Sequence, residues 1–369
     1  MKKIRCLVVQ RTVRRYTIPN PLPGSKAAPK YLIFEECDKG IDKRLDETGV
    51  IWRQAGLREI TLAALTEDYG FVVIGIALKG SYLAANLIAR LRGKKVAYET
   101  ELWEWSQTRH SPLGRIRDWL TVKLMLFGDF FLAKGPKQKE FLEKHGVSPR
   151  KIITYFSMNS LSLGKKYRGS AEEARKRLGL KGGKTILFIG RLVERKNPML
   201  LLKAFTALSR KIGGVTLIVV GDGPYRGQAM SFCEKHGLKN VVFAKPVNQS
   251  SDELMDYYAA CDVLALPSSR EPYGAVIDEA VSFGKPVIST DDAGATYMVV
   301  RQGVNGYIVR HGSMASLYAA LEEFVSGKGN AETLAMGSKK VRQDVCERNF
   351  SFEEGLDEIA ERVDLGADY

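Results

Sequence analysis

The fold is indicated by residues 185–205, which read TILFIGRLVERKNPMLLLKAF. The apolar run Thr185–Ile189 predicts a buried strand, and a glycine with a polar turn follows it. Pro198 then begins an amphipathic pattern in which apolar residues recur three and four positions apart. A buried strand followed by an amphipathic helix is typical of a parallel sheet covered by helices.

The same alternation of short apolar runs and helical patterns extends along most of the chain. In the first part it predicts strands at Ile4–Val9, Phe71–Ile76, Lys95–Glu99, Phe130–Leu132 and Lys151–Thr154. The helices predicted there are Trp52–Glu67, Ser81–Arg92, Leu113–Leu126 and Pro136–His145. Residues 17–30, which include four prolines, are interpreted as a loop.

A polar stretch separates this part from a second series of the same kind. Strands are predicted there at Thr185–Ile189, Thr216–Val220, Val241–Phe243, Val263–Ala265 and Pro286–Ser289. Helices are predicted at Ala171–Leu178, Asn197–Ile212, Tyr225–His236, Asp252–Ala260, Gly274–Phe283, Ser316–Val325 and Glu332–Arg348.

The two series predict an α/β protein with two Rossmann-like, doubly wound parallel-sheet domains. Ligands bind outside the carboxyl ends of strands in such sheets, so we expect the domains to face each other across a cleft. The predicted divisions are a first domain at 1–156, a linker at 157–170, a second domain at 171–350, and a C-terminal helix at 351–369 that packs back towards the first domain.

Charge is distributed unevenly along the chain. Its 369 residues are 45% hydrophobic and carry a formal net charge of +14, which excludes a single small module. Residues 1–155 hold 28 basic and 16 acidic side chains, so most of the excess lies there. This balance favours an acidic partner or an anionic surface.

Several other protein classes find no support in the sequence. The five cysteines form no close pair and the four histidines have no metal-binding spacing, which predicts a reduced, metal-free protein. No apolar run reaches the roughly 18 residues of a spanning helix, and the N-terminus lacks the apolar core of a signal peptide. The patterns GxxxxGK[ST] and GxSxG are absent, and Gly221 to Gly227 departs from the dinucleotide fingerprint by one position.

Two cations follow the predicted strand Thr185–Ile189 at its carboxyl end. Arg191 can bind a diphosphate through its planar fork and Lys196 as a point charge. The alternative is a solvated turn, although cations at a helix N-terminus oppose its dipole. The residues alone leave both interpretations open.

A second loop and helix, Leu266–Ala280, follow the strand Val263–Ala265. Gly274 allows a ligand to approach the backbone, and the free amides at a helix start suit a phosphate or a sugar oxygen. Glu271 in the loop and Glu279 on the helix are carboxylates that suit sugar and ribose hydroxyl groups. A helix cap for Glu271 and a surface position for Glu279 explain the spacing equally well.

Together these motifs resemble family-4 retaining glycosyltransferases, which have the GT-B fold. The matching positions, in family order, are Gly190-Arg191 with Lys196, Gly221 with Gly223-Pro224, Tyr258 to Asp262 with Leu266 to Ser268, the pair Glu271 and Glu279, Gly284 to Val287, and Asn305-Gly306. The combination is far more specific than any single motif.

The resemblance implies a hexosyltransferase-type enzyme that moves a sugar from a nucleoside-diphosphate donor to a saccharide or lipid-linked acceptor, with retention. Arg191 and Lys196 would bind the diphosphate, Glu271 the transferred sugar and Glu279 the ribose. The donor site would also include Gly190, Gly221, Gly223, Val247, Tyr273, Gly274 and Ala275. No DxD motif occurs in the chain, and the resemblance implies neither a metal nor a cofactor besides the nucleotide sugar.

The first domain resembles the family less closely. Residues 10–19 stand where many members have a glycine-rich loop, and they are similar to a subset with a Tyr-x-Ile-Pro sequence. Many members place a histidine after the strand predicted here at Lys95–Glu99. In this chain Glu101 and Glu104 are the candidate acceptor-side residues instead.

Two other functions remain open: a catalytically inactive GT-B scaffold, and a basic protein that associates with a membrane or a nucleic acid. Residues 113–126 combine basic and apolar side chains, which suits a core helix with a solvated face or a helix on an anionic bilayer. No RRM, KH or helix-turn-helix pattern supports a nucleic-acid partner. We therefore expect a cytoplasmic enzyme of glycan or polysaccharide biosynthesis, with peripheral attachment at the inner membrane face left open.

Overall fold

The computed structural model describes residues 4–10, 25, 27–33, 51–75, 80–101, 112–180, 182–247, 251–327 and 330–366. The chain forms two compact units: unit 1 comprises Met1–Asn159 and Arg348–Tyr369, and unit 2 comprises Ser160–Glu347. Residues 160–170 of the predicted linker lie in unit 2. The side chain of Leu163 is buried there, and the Gly164 amide donates to Ser282 Oγ at 3.0 Å.

Unit 1 is built on a parallel sheet. In the described residues its strands are β1 (Ile4–Gln10), β2 (Ala27–Ile33), β3 (Ile51–Gln54), β4 (Phe71–Gly75), β5 (Lys95–Thr100), β6 (Phe130–Ala133), β7 (Ile152–Phe156) and β14 (Phe350–Ser351). The spatial order is β14-β7-β6-β5-β4-β1-β2-β3, with parallel pairing throughout. The helices are α1 (Leu57–Thr66), α2 (Gly80–Leu91), α3 (Pro112–Met125), α4 (Pro136–Lys144) and α15 (Phe352–Asp364).

Helix α15 completes the core of unit 1 from the far end of the chain. Its residues Leu356 and Ile359 are buried against the sheet, together with Val8 and Val73. Asp357 accepts a hydrogen bond from the Ala27 amide at 2.8 Å, which ties the helix to the start of β2. The sheet and α15 therefore form one packed body.

Two local predictions in unit 1 are wrong. Residues 27–30, interpreted as the end of a loop, belong to β2, and residues 52–54, interpreted as the start of a helix, belong to β3. Both strands form because they pair with distant neighbours: β2 lies against β1, and β3 lies against β2. Tertiary pairing of this kind overrides local sequence preference.

Unit 2 has a second parallel sheet. In the described residues its strands are β8 (Lys184–Ile189), β9 (Val215–Val220), β10 (Val241–Ala244), β11 (Val263–Leu266), β12 (Val287–Thr290) and β13 (Gly306–Val309), in the spatial order β10-β9-β8-β11-β12-β13. The helices that follow β7 are α5 (Met158–Leu161), α6 (Leu163–Lys166), α7 (Ala171–Arg177), α8 (Pro198–Lys211), α9 (Arg226–Lys235), α10 (Asp252–Ala260), α11 (Ala275–Ser282), α12 (Gly294–Val299), α13 (Met314–Val325) and α14 (Ala331–Arg348). The sequence prediction missed β13 and α12, and it interpreted the residues of α5 and α6 as a linker.

The strand order of unit 2 reverses beside β8. The chain runs outward from β8 through β9 to β10, and then returns to the other side of β8 with β11, β12 and β13. The carboxyl ends of β8 and β11 flank this reversal, where sheets of this type bind ligands. Residues 190–197 and 267–274 form the loops that leave the sheet there.

Both units are Rossmann-like parallel-sheet domains, which confirms the predicted fold class. Among the helices in the described part of the chain, none is long and apolar enough to cross a membrane. The cysteines of that part are all free; Cys6, Cys233 and Cys261 are buried and Cys346 is exposed.

Candidate active site in unit 2

A buried ion pair joins the loops that follow β8 and β11. The Lys196 ammonium lies 2.5 Å from Glu271 Oε2, and the two side chains are 9% and 7% exposed. Little water reaches an ion pair at this depth, so solvent screens the attraction between its two charges only weakly. Glu271, Arg191 and Lys196 are the residues that the sequence predicts as catalytic, and the structure brings Glu271 and Lys196 into contact.

Arg195 is a second cation on the same carboxylate, and sequence reasoning passed over it. Its guanidinium donates to Glu271 Oε2 at 2.5 Å and is 40% exposed. Residues 194–196 form a short 3-10 turn, in which neighbouring side chains can reach one partner. The adjacency of Arg195 to Lys196 was the signal available in the sequence.

Backbone and amide contacts hold the two loops against each other. The Asn197 side-chain amide donates to the Pro267 carbonyl at 3.0 Å and to Ser269 Oγ at 2.8 Å. The Ser269 amide donates to the Arg195 carbonyl at 2.7 Å. Asn197 has φ +48°, a left-handed conformation that asparagine tolerates better than most residues. These hydrogen bonds fix the relative positions of the two loops that carry Lys196 and Glu271.

A third loop supports Glu271 from the side of β12. The Glu271 amide donates to the Asp292 carbonyl at 3.0 Å, and its carbonyl accepts from the Gly294 amide at 3.2 Å. The Arg270 amide donates to Asp292 Oδ2 at 2.7 Å. Arg270 has φ +51°, so the turn just before Glu271 departs from ordinary backbone geometry.

Burial is the largest influence on the pKa of the Lys196 ammonium. Desolvation lowers the pKa of Lys196 below its ordinary value, while the charge of Glu271 and its hydrogen bond act in the opposite direction. Burial also raises the pKa of Asp292, opposed by the hydrogen bond from the Arg270 amide. Because one carboxylate carries two cations, the Glu271 cluster has a positive formal charge and suits an anionic ligand.

The N-terminus of α11 lies in the loop of Glu271. Gly274 precedes the helix with φ +93°, a conformation that glycine adopts without strain. Tyr273 is buried and donates its hydroxyl to Asp278 Oδ2 at 2.6 Å, while Ala275 begins the helix half-buried. The Ile277 amide already donates to the Gly274 carbonyl at 2.9 Å, so the amides that precede it in α11 are the ones available to a phosphate or a sugar oxygen.

Glu279 is buried within α11, so the alternative of a surface glutamate is wrong. Its Oε2 accepts the Tyr258 hydroxyl at 2.5 Å. Tyr258 is itself fully buried on α10. Buried carboxylates require hydrogen-bond partners, and this one is held by a neighbouring helix.

The three glycines marked by the sequence lie where backbone segments meet. Gly221 has φ +142°, and an ideal Cβ there would lie 2.0 Å from the Gly190 carbonyl oxygen. Gly223 has φ +153°, and its ideal Cβ would lie 2.5 Å from the Leu192 oxygen. Gly190 itself lies beside Lys196, whose Cε is 3.6 Å from an ideal Cβ. A side chain at Gly221 or Gly223 would push apart the loops after β8 and β9.

The remaining donor-side candidates are Arg191 and Val247. Arg191 is exposed, in contrast to the buried Lys196, and Val247 is half-buried just after β10. On unit 1, Glu101 is exposed and pairs with Lys134 at 2.6 Å. Glu104 lies outside the described residues. The roles assigned to all these residues stay predictions.

Metal ligands do not gather in the described residues: no three His, Cys, Asp or Glu side chains form a group that could hold an ion.

Sequence comparison finds a family match for most of unit 2. Residues 170–343 match the family model described as Glycosyl transferases group 1. D-inositol 3-phosphate glycosyltransferase of Rhodococcus jostii is 31% identical over 244 residues, covering 63% of this chain and 52% of the relative. The chain thus spans about half the length of the curated relatives it matches.

Structural comparison extends over nearly the whole chain. Anabaena Alr3699/HepE, solved in complex with UDP, aligns with a TM-score of 0.74 and 18% identity, over 99% of this chain and 100% of that one. Sucrose-phosphate synthase from Thermosynechococcus elongatus aligns with a TM-score of 0.66 and 15% identity, over 99% and 100%. The chain has the GT-B fold, and residues 170–343 carry the sequence pattern of group 1 glycosyltransferases.

Proposed function

We propose that the protein is a glycosyltransferase that moves a hexosyl group from a nucleoside-diphosphate sugar to a saccharide or lipid-linked acceptor. One observation carries the proposal: the Lys196–Glu271 pair lies at the strand-order reversal of unit 2, in the loops beside the N-terminus of α11. A donor of this kind needs cations for its diphosphate and a carboxylate for its sugar hydroxyl groups. This one location offers both.

Charge stabilisation would supply most of the chemistry. Departure of the nucleoside diphosphate leaves negative charge on the phosphate oxygens, and groups aimed at that charge lower the barrier. Lys196 and Arg191 would provide positive charge, and the free amides of α11 would donate hydrogen bonds. This set stabilises the leaving group without a metal, and we propose that none is required.

Carboxylates would orient the donor. Glu271 is held through Oε2 by Lys196 and Arg195, so its position is set before the donor arrives. It would accept hydrogen bonds from the transferred sugar, and Glu279 would accept them from the ribose. The base would lie against backbone near Val247. Retention of anomeric configuration remains part of the proposal and rests on the family-4 resemblance.

The acceptor side rests on unit 1. Glu101 and Glu104 are its candidate residues, and a saccharide or lipid-linked acceptor would serve glycan or polysaccharide biosynthesis in the cytoplasm. A lipid-linked acceptor would bring the protein to the inner face of a membrane. The solved complexes of Anabaena Alr3699/HepE with UDP and with UDP-glucose support a uridine nucleotide as the first donor to test.

Ligand-induced thermal stabilisation tests the donor site directly. UDP, GDP, ADP and the free bases are each added in EDTA, since a ligand at 100 times its Kd adds about 2.7 kcal/mol to the folded state. We expect one diphosphate to raise the melting temperature of unit 2, and Arg191→Ala to reduce that rise. Arg210→Ala on α8 is the matched control, since it removes a charge elsewhere on the same unit.

Transfer is tested separately with the matching nucleotide sugar. Glu271→Gln keeps the side-chain shape, so it should lower turnover strongly while UDP still binds. Stabilisation by no diphosphate would refute the donor site. Stabilisation of the wild type without any donor cleavage, over a panel of saccharide and lipid-linked acceptors, would favour an inactive scaffold instead.

A further inference from the structure

Unit 1 exposes large apolar side chains on three of its helices. Of the 18 such side chains exposed in the described residues, 11 lie between residues 57 and 127. They are Leu57, Leu62 and Leu65 on α1, Leu83, Leu87 and Leu91 on α2, and Ile116, Trp119, Leu120, Leu124 and Phe127 on or just after α3. Single exposed apolar residues are ordinary, but a concentration of this kind marks an interaction surface.

The three helices lie side by side on one face of the sheet. They connect β3 to β4, β4 to β5 and β5 to β6, and each connection steps in the same direction along the strand order. Right-handed crossovers therefore place all three on the same face. Arg92, just after α2, donates to the Ala64 carbonyl of α1 at 2.7 Å, and Arg90 of α2 donates to the Phe127 carbonyl after α3.

Helix α2, in the middle, is apolar on both sides. Its inner side buries Ala85 and Ala89, whereas Leu83, Leu87 and Leu91 recur every four residues on its exposed side. A helix at the surface of a globular protein normally presents polar residues to water. The outer stripe of leucines is therefore 42–79% exposed in the described structure, and this exposed surface is available to a partner.

Basic side chains lie among these apolar residues. Arg58, Arg90 and Lys123 are exposed, and the Lys123 ammonium lies 5.9 Å from the centre of the Trp119 ring. Tryptophan and lysine together suit the boundary between hydrocarbon and polar headgroups. The basic excess of residues 1–155 disfavours a second copy of the chain as the occupant, because two such units would repel each other.

We propose that this α1–α3 face, the exposed apolar and basic residues named above, docks on the surface of an anionic bilayer. The leucines and Trp119 enter the headgroup region, and Arg58, Arg90 and Lys123 meet lipid phosphates. The free energy of membrane binding then has two contributions, the burial of apolar side chains and the attraction of basic side chains to anionic lipid. The inference rests on unit 1 alone and holds whether or not unit 2 transfers a sugar.

Vesicle sedimentation with the full-length protein tests the proposal. Vesicles of phosphatidylcholine that contain about 30% phosphatidylglycerol, an anionic lipid, are compared with vesicles of pure phosphatidylcholine. We expect binding to the anionic vesicles that weakens in high salt. Leu87→Glu and Trp119→Glu should each reduce it at least about tenfold, as expected from adding charge to a buried apolar contact.

Met336→Glu is the matched control, since Met336 is an exposed apolar residue of similar accessibility on α14 of unit 2. It should bind vesicles as the wild type does. Unchanged binding by Leu87→Glu and Trp119→Glu, or no binding by the wild type, would overturn the proposal. A concentration-dependent dimer that Leu87→Glu dissociates, without vesicle binding, would assign the face to a second copy instead.

Thermal stabilisation by UDP distinguishes a failure of the membrane proposal from a failure of the donor-site proposal. Thermal stabilisation by UDP should be the same in Leu87→Glu as in the wild type, because the substitution lies on unit 1. Loss of vesicle binding with UDP stabilisation retained supports the membrane face alone. Vesicle binding without any nucleotide effect leaves the membrane face supported and refutes the donor site.

Discussion

The Lys196–Glu271–Arg195 cluster predicts an unequal response to the removal of its members. Glu271 has two cationic partners, whereas Lys196 is paired through one carboxylate oxygen. Glu271→Gln leaves the Lys196 ammonium buried without a countercharge. Lys196→Met leaves Glu271 paired with Arg195. The two variants should therefore differ in stability even though they break the same ion pair.

The magnitudes follow from burial. Removing one partner of a buried pair costs about 3–5 kcal/mol, and we expect about 3 kcal/mol for Glu271→Gln because Lys196 is only 9% exposed. Lys196→Met should cost about 1 kcal/mol, since the retained partner Arg195 is 40% exposed and hydrated. The double variant should be more stable than Glu271→Gln, because the isolated buried charge is then absent.

The assay must report on unit 2. The tryptophans at positions 52, 103, 105 and 119 all belong to unit 1, so tryptophan fluorescence follows that unit. Hydrogen exchange of peptides from β8 and β9 in increasing urea follows unit 2 instead, and urea does not screen ion pairs. Equal losses for Glu271→Gln and Lys196→Met, or a double variant less stable than both, would refute this reasoning.

Three further predictions concern the same unit. Burial lowers the pKa of Lys196 below 10.5, so the affinity for UDP should fall as the pH rises through the alkaline range below that value and the ammonium loses its charge. Lys196→Arg keeps its charge, so its affinity for UDP, measured by calorimetric titration, should fall less over the same pH range. Gly221→Ala should destabilise unit 2 by about 3 kcal/mol through backbone strain and overlap, whereas Gly227→Ala, with no atom within 4 Å of its ideal Cβ, should be neutral or stabilising in hydrogen exchange. Tyr258→Phe removes a hydrogen bond to the buried carboxylate of Glu279 and should cost about 1–2 kcal/mol in the same measurement; a value near zero would contradict that hydrogen bond.

Periodicity predicted the strands and helices that carry their own local signal. The strand of residues 185–189 and the helix that starts at Pro198 are found as predicted, because a buried strand and an amphipathic helix each have a distinctive pattern. The β2 and β3 strands were missed because prolines or a neighbouring helical pattern obscured them. They form because β2 pairs with β1 and β3 pairs with β2, and each partner lies outside the local stretch of sequence.

Some features of the candidate site were likewise predictable from the sequence, and others were not. The sequence by itself determined that Lys196, Glu271 and a glycine-opened helix follow strands, because each motif is contiguous. Only the tertiary structure decided that Lys196 and Arg195 meet Glu271, 75 or more residues away along the chain. That contact exists because β8 and β11 are neighbours in the sheet.

Burial was likewise decided by tertiary structure. The spacing of Glu279 fits a surface helix and a ligand site equally well, and packing of α10 against it places the carboxylate in the interior. The leucine stripe of α2 reads as a core-facing pattern, yet the sheet can cover only one side of a helix. Local sequence determines which segments form strands and helices, whereas the order of the strands determines which residues meet and which remain exposed to a partner.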